Sequence, residues 1–203
     1  VYDSIQKELH VMTIPPPANP KVKGTGIRAM LKFAESRGGP AALGRVLARL
    51  SEEDRAVISR GLLPSSRYPE EFDHRILLAV CEESFGRNVE QATALGAAVL
   101  DEGMNIFSWF FLKMGDPSFL ISKAGALWNQ YHEVGKLEVF DVEPKSARAK
   151  LSEYPWLDVP FCRILGGSMM RALEVSGCKG IKLVHEQCVG RGANHCQYRL
   201  SWD

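Results

Sequence analysis

From Cys162 to Cys196 the chain reads C-R-I-L-G-G-S-M-M-R-A-L-E-V-S-G-C-K-G-I-K-L-V-H-E-Q-C-V-G-R-G-A-N-H-C, and no other stretch restricts the fold as tightly. It holds four of the five cysteines and two of the five histidines. Within it His185, Cys188 and Cys196 form H-x2-C-x7-C, with Gly190 and Gly192 in the connecting loop. A hairpin with glycines at its tip brings those three side chains to one point, and Cys162 on the preceding helix supplies a fourth. Three thiolates and one imidazole satisfy tetrahedral zinc. The spacing therefore predicts a structural zinc site with Cys162, His185, Cys188 and Cys196 as ligands. A register slipped by one residue would put Glu186 in place of His185. Cys178 is a spare for Cys162, and His195 falls on the opposite face of its strand from Cys196.

A site with all four positions filled by protein leaves none for water, which argues for stapling the hairpin to the helix rather than for hydrolysis. Without metal the same residues read as buried or surface thiols. Cys162 near a helix N-terminus is then expected to be a stabilised thiolate, which keeps a thiol switch open. An odd number of cysteines, clustered late in the chain, suits a metal in reduced thiols better than a disulfide framework.

At 203 residues, with 45% hydrophobic residues, the chain is long enough to bury a real core. The formal net charge of +1 creates no global field for nucleic acid or acidic lipid, so neither is expected as a partner. No apolar run is long enough to span a bilayer and there is no signal-peptide pattern, so a cytoplasmic location is expected. The chain begins at Val1, as a fragment of a longer protein would.

Pro15, Pro16, Pro17 and Pro20 impose an extended segment, so residues 1–22 read as a Pro-rich arm or linker and 23–203 as a single domain. Ile27, Met30, Leu31 and Ala34 recur at helical spacing up to Gly38-Gly39-Pro40, and a second helix follows. Ser51 caps a short acidic helix, and Pro69 opens one with Phe72, Ile76, Val80 and Phe85 on one face. A long aromatic helical stretch runs from Asn88 to Met114, and Asp116-Pro117 caps a helix that ends near Gly135. Leu137 and Val139 then alternate with charged residues as in a strand. A loop leads through Pro155 to an Asp158-capped helix, and strands over 181–188 and 196–202 close the chain. The fold class is α+β: a helical N-terminal two-thirds followed by strand, helix and hairpin forming an antiparallel sheet packed on helices.

That order of elements, with Cys162 and H-x2-C-x7-C, resembles the 4-vinyl reductase domain family, as found in the sensor domains of phenol- and xylene-responsive activators. The resemblance covers roughly Tyr68 to Trp202. It implies a fold related to TRAPP trafficking subunits and to haem-nitric-oxide-binding domains. In the activators' pattern a glutamate stands where this chain has His185, and Cys162, Cys188 and Cys196 fall on the three cysteine positions. The V-K-G-T at 22–25 and Arg67-Tyr-Pro-Glu-Glu are similar to an uncharacterised myxobacterial family. The haem-binding relatives place an axial histidine after a Phe-Leu and use a Y-x-S-x-R triad. Here the corresponding run from Phe119 has leucine or tryptophan at that point and no Y-x-S-x-R occurs, so no haem is expected. His132 reads as a polar helix-face residue.

The resemblance also implies a pocket for a small aromatic or acyl ligand, for which Phe107, Phe110, Phe111, Phe119, Trp128 and Tyr131 are the candidates. Aromatics at helical spacing also read as plain core; the chain would then be a TRAPP-like interaction scaffold with a homodimer or protein partner. No nucleophile elbow, Walker loop, dinucleotide fingerprint or H-E-x-x-H is present, and Glu70-Glu71 and Glu82-Glu83 read as solvated surface. The expected function is a non-enzymatic regulatory or sensor domain.

Overall fold

The computed structural model describes residues 17–86, 88–103 and 117–203. Lys21–Lys23 (β1) pairs antiparallel with Arg67–Pro69 (β2), so the last residues of the Pro-rich segment are already strand. Helix α1, Gly24–Ala48, buries Ile27, Met30, Leu31, Ala34 and Val46. It bends where the sequence places its break: Gly39 has φ of 68°, open to glycine at little cost, and Pro40 restarts the helix where its missing N–H matters least. Helix α2, Glu52–Ser59, is capped by Ser51, whose hydroxyl accepts the Asp54 N–H at 3.1 Å. Helix α3, Glu70–Phe85, buries Phe72, Ile76, Val80 and Phe85, the face its spacing predicts. A single 3-10 turn, Val89–Ala92, leads into α4, Thr93–Gly103, and α5 is Pro117–Tyr131.

The C-terminal part comprises β3 (Lys136–Glu143), β4 (Ser146–Ser152), α6 (Val159–Val175), β5 (Lys182–Gln187) and β6 (Cys196–Ser201). The four strands form one antiparallel sheet in the order β3-β4-β6-β5. Strand β4 occupies what the sequence reads as loop. Its buried face is Ala147, Ala149 and Leu151, and its other face carries Arg148 and Lys150. Alanine and lysine are weak strand formers, so period-two alternation here is invisible to propensity and is imposed by pairing on both sides.

Helices α4 and α6 touch backbone to backbone. A Cβ on Gly96 would stand 1.9 Å from the Ile164 carbonyl oxygen, and one on Gly167 would stand 2.0 Å from that of Thr93. Glycine is required at both positions, and the contact locks the helix that carries Cys162 to the N-terminal helices. Among the described residues no helix is long and apolar enough to cross a membrane.

Two polar features depart from the expected surface. Glu70 is fully buried, while its neighbour Glu71 is exposed. Glu70 accepts from the Tyr154 hydroxyl at 2.8 Å and lies 2.9 Å from His132 Nδ1, so His132 is a member of a buried network. Arg75 holds the buried Asp54 through two hydrogen bonds of 2.8 and 2.7 Å.

Candidate metal centre

The Asp158 cap fixes the start of α6: its Oδ1 accepts the Phe161 N–H at 2.8 Å and its carbonyl accepts the Cys162 N–H at 3.0 Å. Pro160 in the first turn supplies a helical φ and lacks a donor where none is needed. Cys162 lies on the inward face of this helix, fully buried.

The other candidate ligands come from the β5–β6 hairpin. His185 sits opposite Tyr198, and Cys196 opens β6 opposite Leu151 of β4. Cys188 ends the outgoing arm, and the Arg191 N–H returns to its carbonyl at 3.0 Å. Gly192, with φ of 93°, reverses the chain.

Cys162, His185, Cys188 and Cys196 each offer one ligand atom, and these four atoms lie within 4.8 Å of one another. The three cysteines are buried and His185 is half-buried. All cysteines are free thiols; Cys162 Sγ and Cys196 Sγ approach to 2.6 Å. His185 Nε2 is buried and has no hydrogen-bond partner. Its ring stacks on Tyr198 with centroids 4.6 Å apart and planes 9° from parallel. The Tyr198 hydroxyl donates to the Cys162 carbonyl at 2.9 Å, so one buried tyrosine positions two of the four ligands.

Charge within the cluster is uneven. The Cys162 thiol beside it, with the His185 imidazole and the Val189 N–H, holds Cys196 down to about 5. The same contact, then burial, pushes Cys162 far above an ordinary thiol, and burial raises Cys188. Within the Cys162–Cys196 contact the negative charge is favoured on the Cys196 side. The helix N-terminus does not decide the matter for Cys162, because burial against a second sulfur outweighs the helix field.

The structure brings the four expected metal ligands together and leaves the alternatives outside. Glu186 points to the other face of β5, where a Gln197 hydrogen bond, then Arg148 and Arg199, keep its carboxyl below the usual range. Cys178 lies outside the cluster, and His195 Nδ1 contacts Asn194. Burial raises the Cys81 thiol to about 12, which makes it inert.

The six expected pocket residues are not brought to one place. Phe107, Phe110 and Phe111 lie outside the described residues. Phe119 is 51% exposed, with the Lys123 ammonium 5.7 Å from its ring centre. Trp128 is buried and donates its indole N–H to the Val134 carbonyl, while the Tyr131 hydroxyl donates to Gly103. A hollow of about 340 Å³ between α5 and β3 is lined instead by Ile121, Gly125, Leu137, Val139 and their neighbours. Sequence reasoning read Asp158 as the cap of α6 but missed the roles of Tyr198 and the buried Glu70; alternation, which places residue 198 on the same face as Cys196, was the signal for Tyr198.

No family model matches the sequence, and no curated protein matches it significantly. Solved structures do. An H-NOX protein from S. oneidensis in the Fe(II)NO ligation state superposes with a TM-score of 0.69 at 16% identity, over 89% of this chain and 99% of that one. The Fe(II) unliganded H-NOX protein from K. algicida gives 0.67 at 11% identity, over 89% and 96%. An oxygen-binding H-NOX domain related to soluble guanylate cyclases gives 0.58 at 12%, over 89% and 95%. These neighbours overturn the resemblance to 4-vinyl reductase and TRAPP folds; of the expected group only the haem-nitric-oxide-binding branch stands.

They also overturn the expected cofactors. The neighbours are named for Fe(II) states, so the exclusion of haem is withdrawn, and they lend zinc no support. On α5 the described residues fit haem poorly: at the expected axial point stand Leu127 and the buried Trp128. His132 has Nδ1 on Glu70 and its ring on Trp128, centroids 4.0 Å apart. What the comparisons establish is architecture: the chain has the H-NOX fold.

Proposed function

We propose that the chain is a non-catalytic sensor domain in which a divalent metal ion on Cys162, His185, Cys188 and Cys196 pins the C-terminal hairpin to α6. The observation that carries this reading is the convergence of four ligand atoms within 4.8 Å of one another, on a ring whose Nε2 is buried without a hydrogen-bond partner and three cysteines that are themselves buried. A buried nitrogen left unpaired costs stability, and a metal ion removes that cost. Three sulfurs and one imidazole select a borderline or soft ion in tetrahedral geometry. The ion is structural, because the protein fills all four positions.

The sensing role is supported by the fold neighbours, which are named for bound nitric oxide and for an oxygen complex. Both are small, nearly apolar molecules, and a ligand of that kind is the one assigned here. The test is titration of reduced, metal-free full chain with Co2+. One equivalent should bind with thiolate-to-metal charge-transfer absorption, and Cys188→Ser should lose the band and melt earlier. Unchanged metal content and melting in that variant would refute the site. For the sensing role, saturable thermal stabilisation by dissolved toluene is the expected readout, since a ligand of the folded state alone raises its stability. No shift up to saturation would count against an apolar ligand.

A further inference from the structure

We infer that Asp158 and His74 are positioning residues that transmit loading of the candidate metal centre to the C-terminal end of α5. The inference rests on the metal reading above. Asp158 meets three elements at the junction: Oδ1 caps α6 through the Phe161 N–H, the carbonyl takes the Cys162 N–H, and Oδ2 lies 3.1 Å from His74 Nε2, an ion pair when the ring is protonated. The hairpin tip presses on the same spot. A Cβ on Gly190, between Cys188 and Cys196, would lie 2.9 Å from Val159 N and 3.3 Å from the Asp158 carbonyl carbon. One residue thus touches the helix that bears Cys162, the turn that joins two other ligands, and α3.

The line continues along α3. Glu70 is one turn before His74 and on the same face. It holds His132 Nδ1 at 2.9 Å and the Tyr154 hydroxyl at 2.8 Å. His132 follows α5 directly; its N–H donates to the Trp128 carbonyl at 2.9 Å and its ring stacks on Trp128. His74 Nδ1 is buried without a partner, so Asp158 is the one polar tether of that ring among the described residues. These links lie between buried or half-buried groups, where water does not readily replace a lost partner. Adjacency alone is not coupling, and the quantity that decides is a linkage between metal binding and order at α5.

Amide hydrogen exchange on the full chain, with and without Co2+, measures it. The reporters are the His132 and Glu133 amides, bonded to the Trp128 and Lys21 carbonyls. Asp158→Ser keeps a capping oxygen but is too short to reach His74. His74→Phe removes the donor, and His74→Gln retains one. In wild type and His74→Gln, Co2+ should slow exchange at both amides by about fivefold or more, the low end of ordinary coupling. In Asp158→Ser and His74→Phe the cobalt spectrum should persist, the slowing should vanish, and cobalt affinity should fall by a like factor, since linkage is reciprocal. Equal slowing in all four proteins, or none in any that binds Co2+, would overturn the coupling and leave the metal centre standing. Failure of wild type to bind Co2+ at all would instead remove the centre, and the coupling with it.

Discussion

Gly167→Ala is the sharpest test of how the helix that carries Cys162 is held. The new methyl would stand 2.0 Å from the Thr93 carbonyl oxygen, whereas ordinary contact begins at 3.4 Å, so the helices must part by about 1.4 Å. The obstacle is backbone and cannot rotate away. Nor can α6 slide, because Gly96 meets the Ile164 carbonyl one turn along, and parting would also stretch the 2.8 Å hydrogen bond from Ser168 to the Gly96 carbonyl. Overpacking typically costs about 1–3 kcal/mol and occasionally more. With backbone on both sides the upper end applies, plus about 1 kcal/mol for the hydrogen bond. Against this, alanine gains about 1 kcal/mol over glycine in a helix. The net loss is about 3 kcal/mol, or roughly 6–12 °C in Tm for a domain this size. Urea denaturation of metal-free protein measures it, with Gly44→Ala as the control. Gly44 is also helical but has nothing within 4 Å of a built Cβ, so that variant should gain up to about 1 kcal/mol. A Gly167→Ala midpoint equal to or above that of wild type would refute the close contact.

Two pH-dependent effects follow from buried carboxyls. Arg75 holds the Asp54 carboxyl below its ordinary 3.8, chiefly by hydrogen bonding, so the pair's contribution is present above that value and lost as pH falls through the lower folded one. Arg75 is 45% exposed, so Arg75→Ala should cost about 1 kcal/mol in urea melts at neutral pH, with the gap closing on acidification below 3.8. Asp73 behaves oppositely: burial, with Glu70 adding and His132 and His74 opposing, lifts its carboxyl to about 7. The folded state then binds the extra proton between 3.8 and about 7, so wild-type stability should decline across that window by at most about 1.4 kcal/mol per pH unit. Asp73→Asn should flatten the decline, and an unchanged slope would show that Asp73 is ionised throughout.

The convergence of Cys162, His185, Cys188 and Cys196 was legible because their types and spacing read together as a cluster. His185 and Cys188 span one strand end, and Cys196 returns after a glycine-bearing turn. Helices α1, α3 and α6 were legible for a similar reason, since their buried residues recur at helical period and their caps, Ser51 and Asp158, carry a readable chemistry. What was hidden depends on partners far away in the chain. Glu70 reads as surface beside Glu71 until Tyr154, 84 residues on, supplies a donor. Strand β4 reads as loop until β3 and β6 flank it. Which of His185 and Glu186 faces the cysteines is a matter of strand face, and Arg148 and Arg199 pair with the glutamate on the outside of the sheet.

The close contact of α4 with α6 also bears on where any response to metal can appear. Cys162 sits on a helix packed backbone to backbone against α4 through Gly96 and Gly167 and capped by Asp158. The other three ligands belong to β5 and β6, whose turn is held mainly by its own backbone bonds and by the Gly190 contact. A metal ion held by all four would draw the hairpin and α6 together. The groups the hairpin meets there are the Val159 side chain and the backbone at Asp158 and Val159. Among the described residues His74 is one polar link from that point to the N-terminal helices, beside Arg163 and Arg191, which both reach Glu90, and a substitution at His74 or Asp158 is expected to weaken the response to metal while the cobalt spectrum persists.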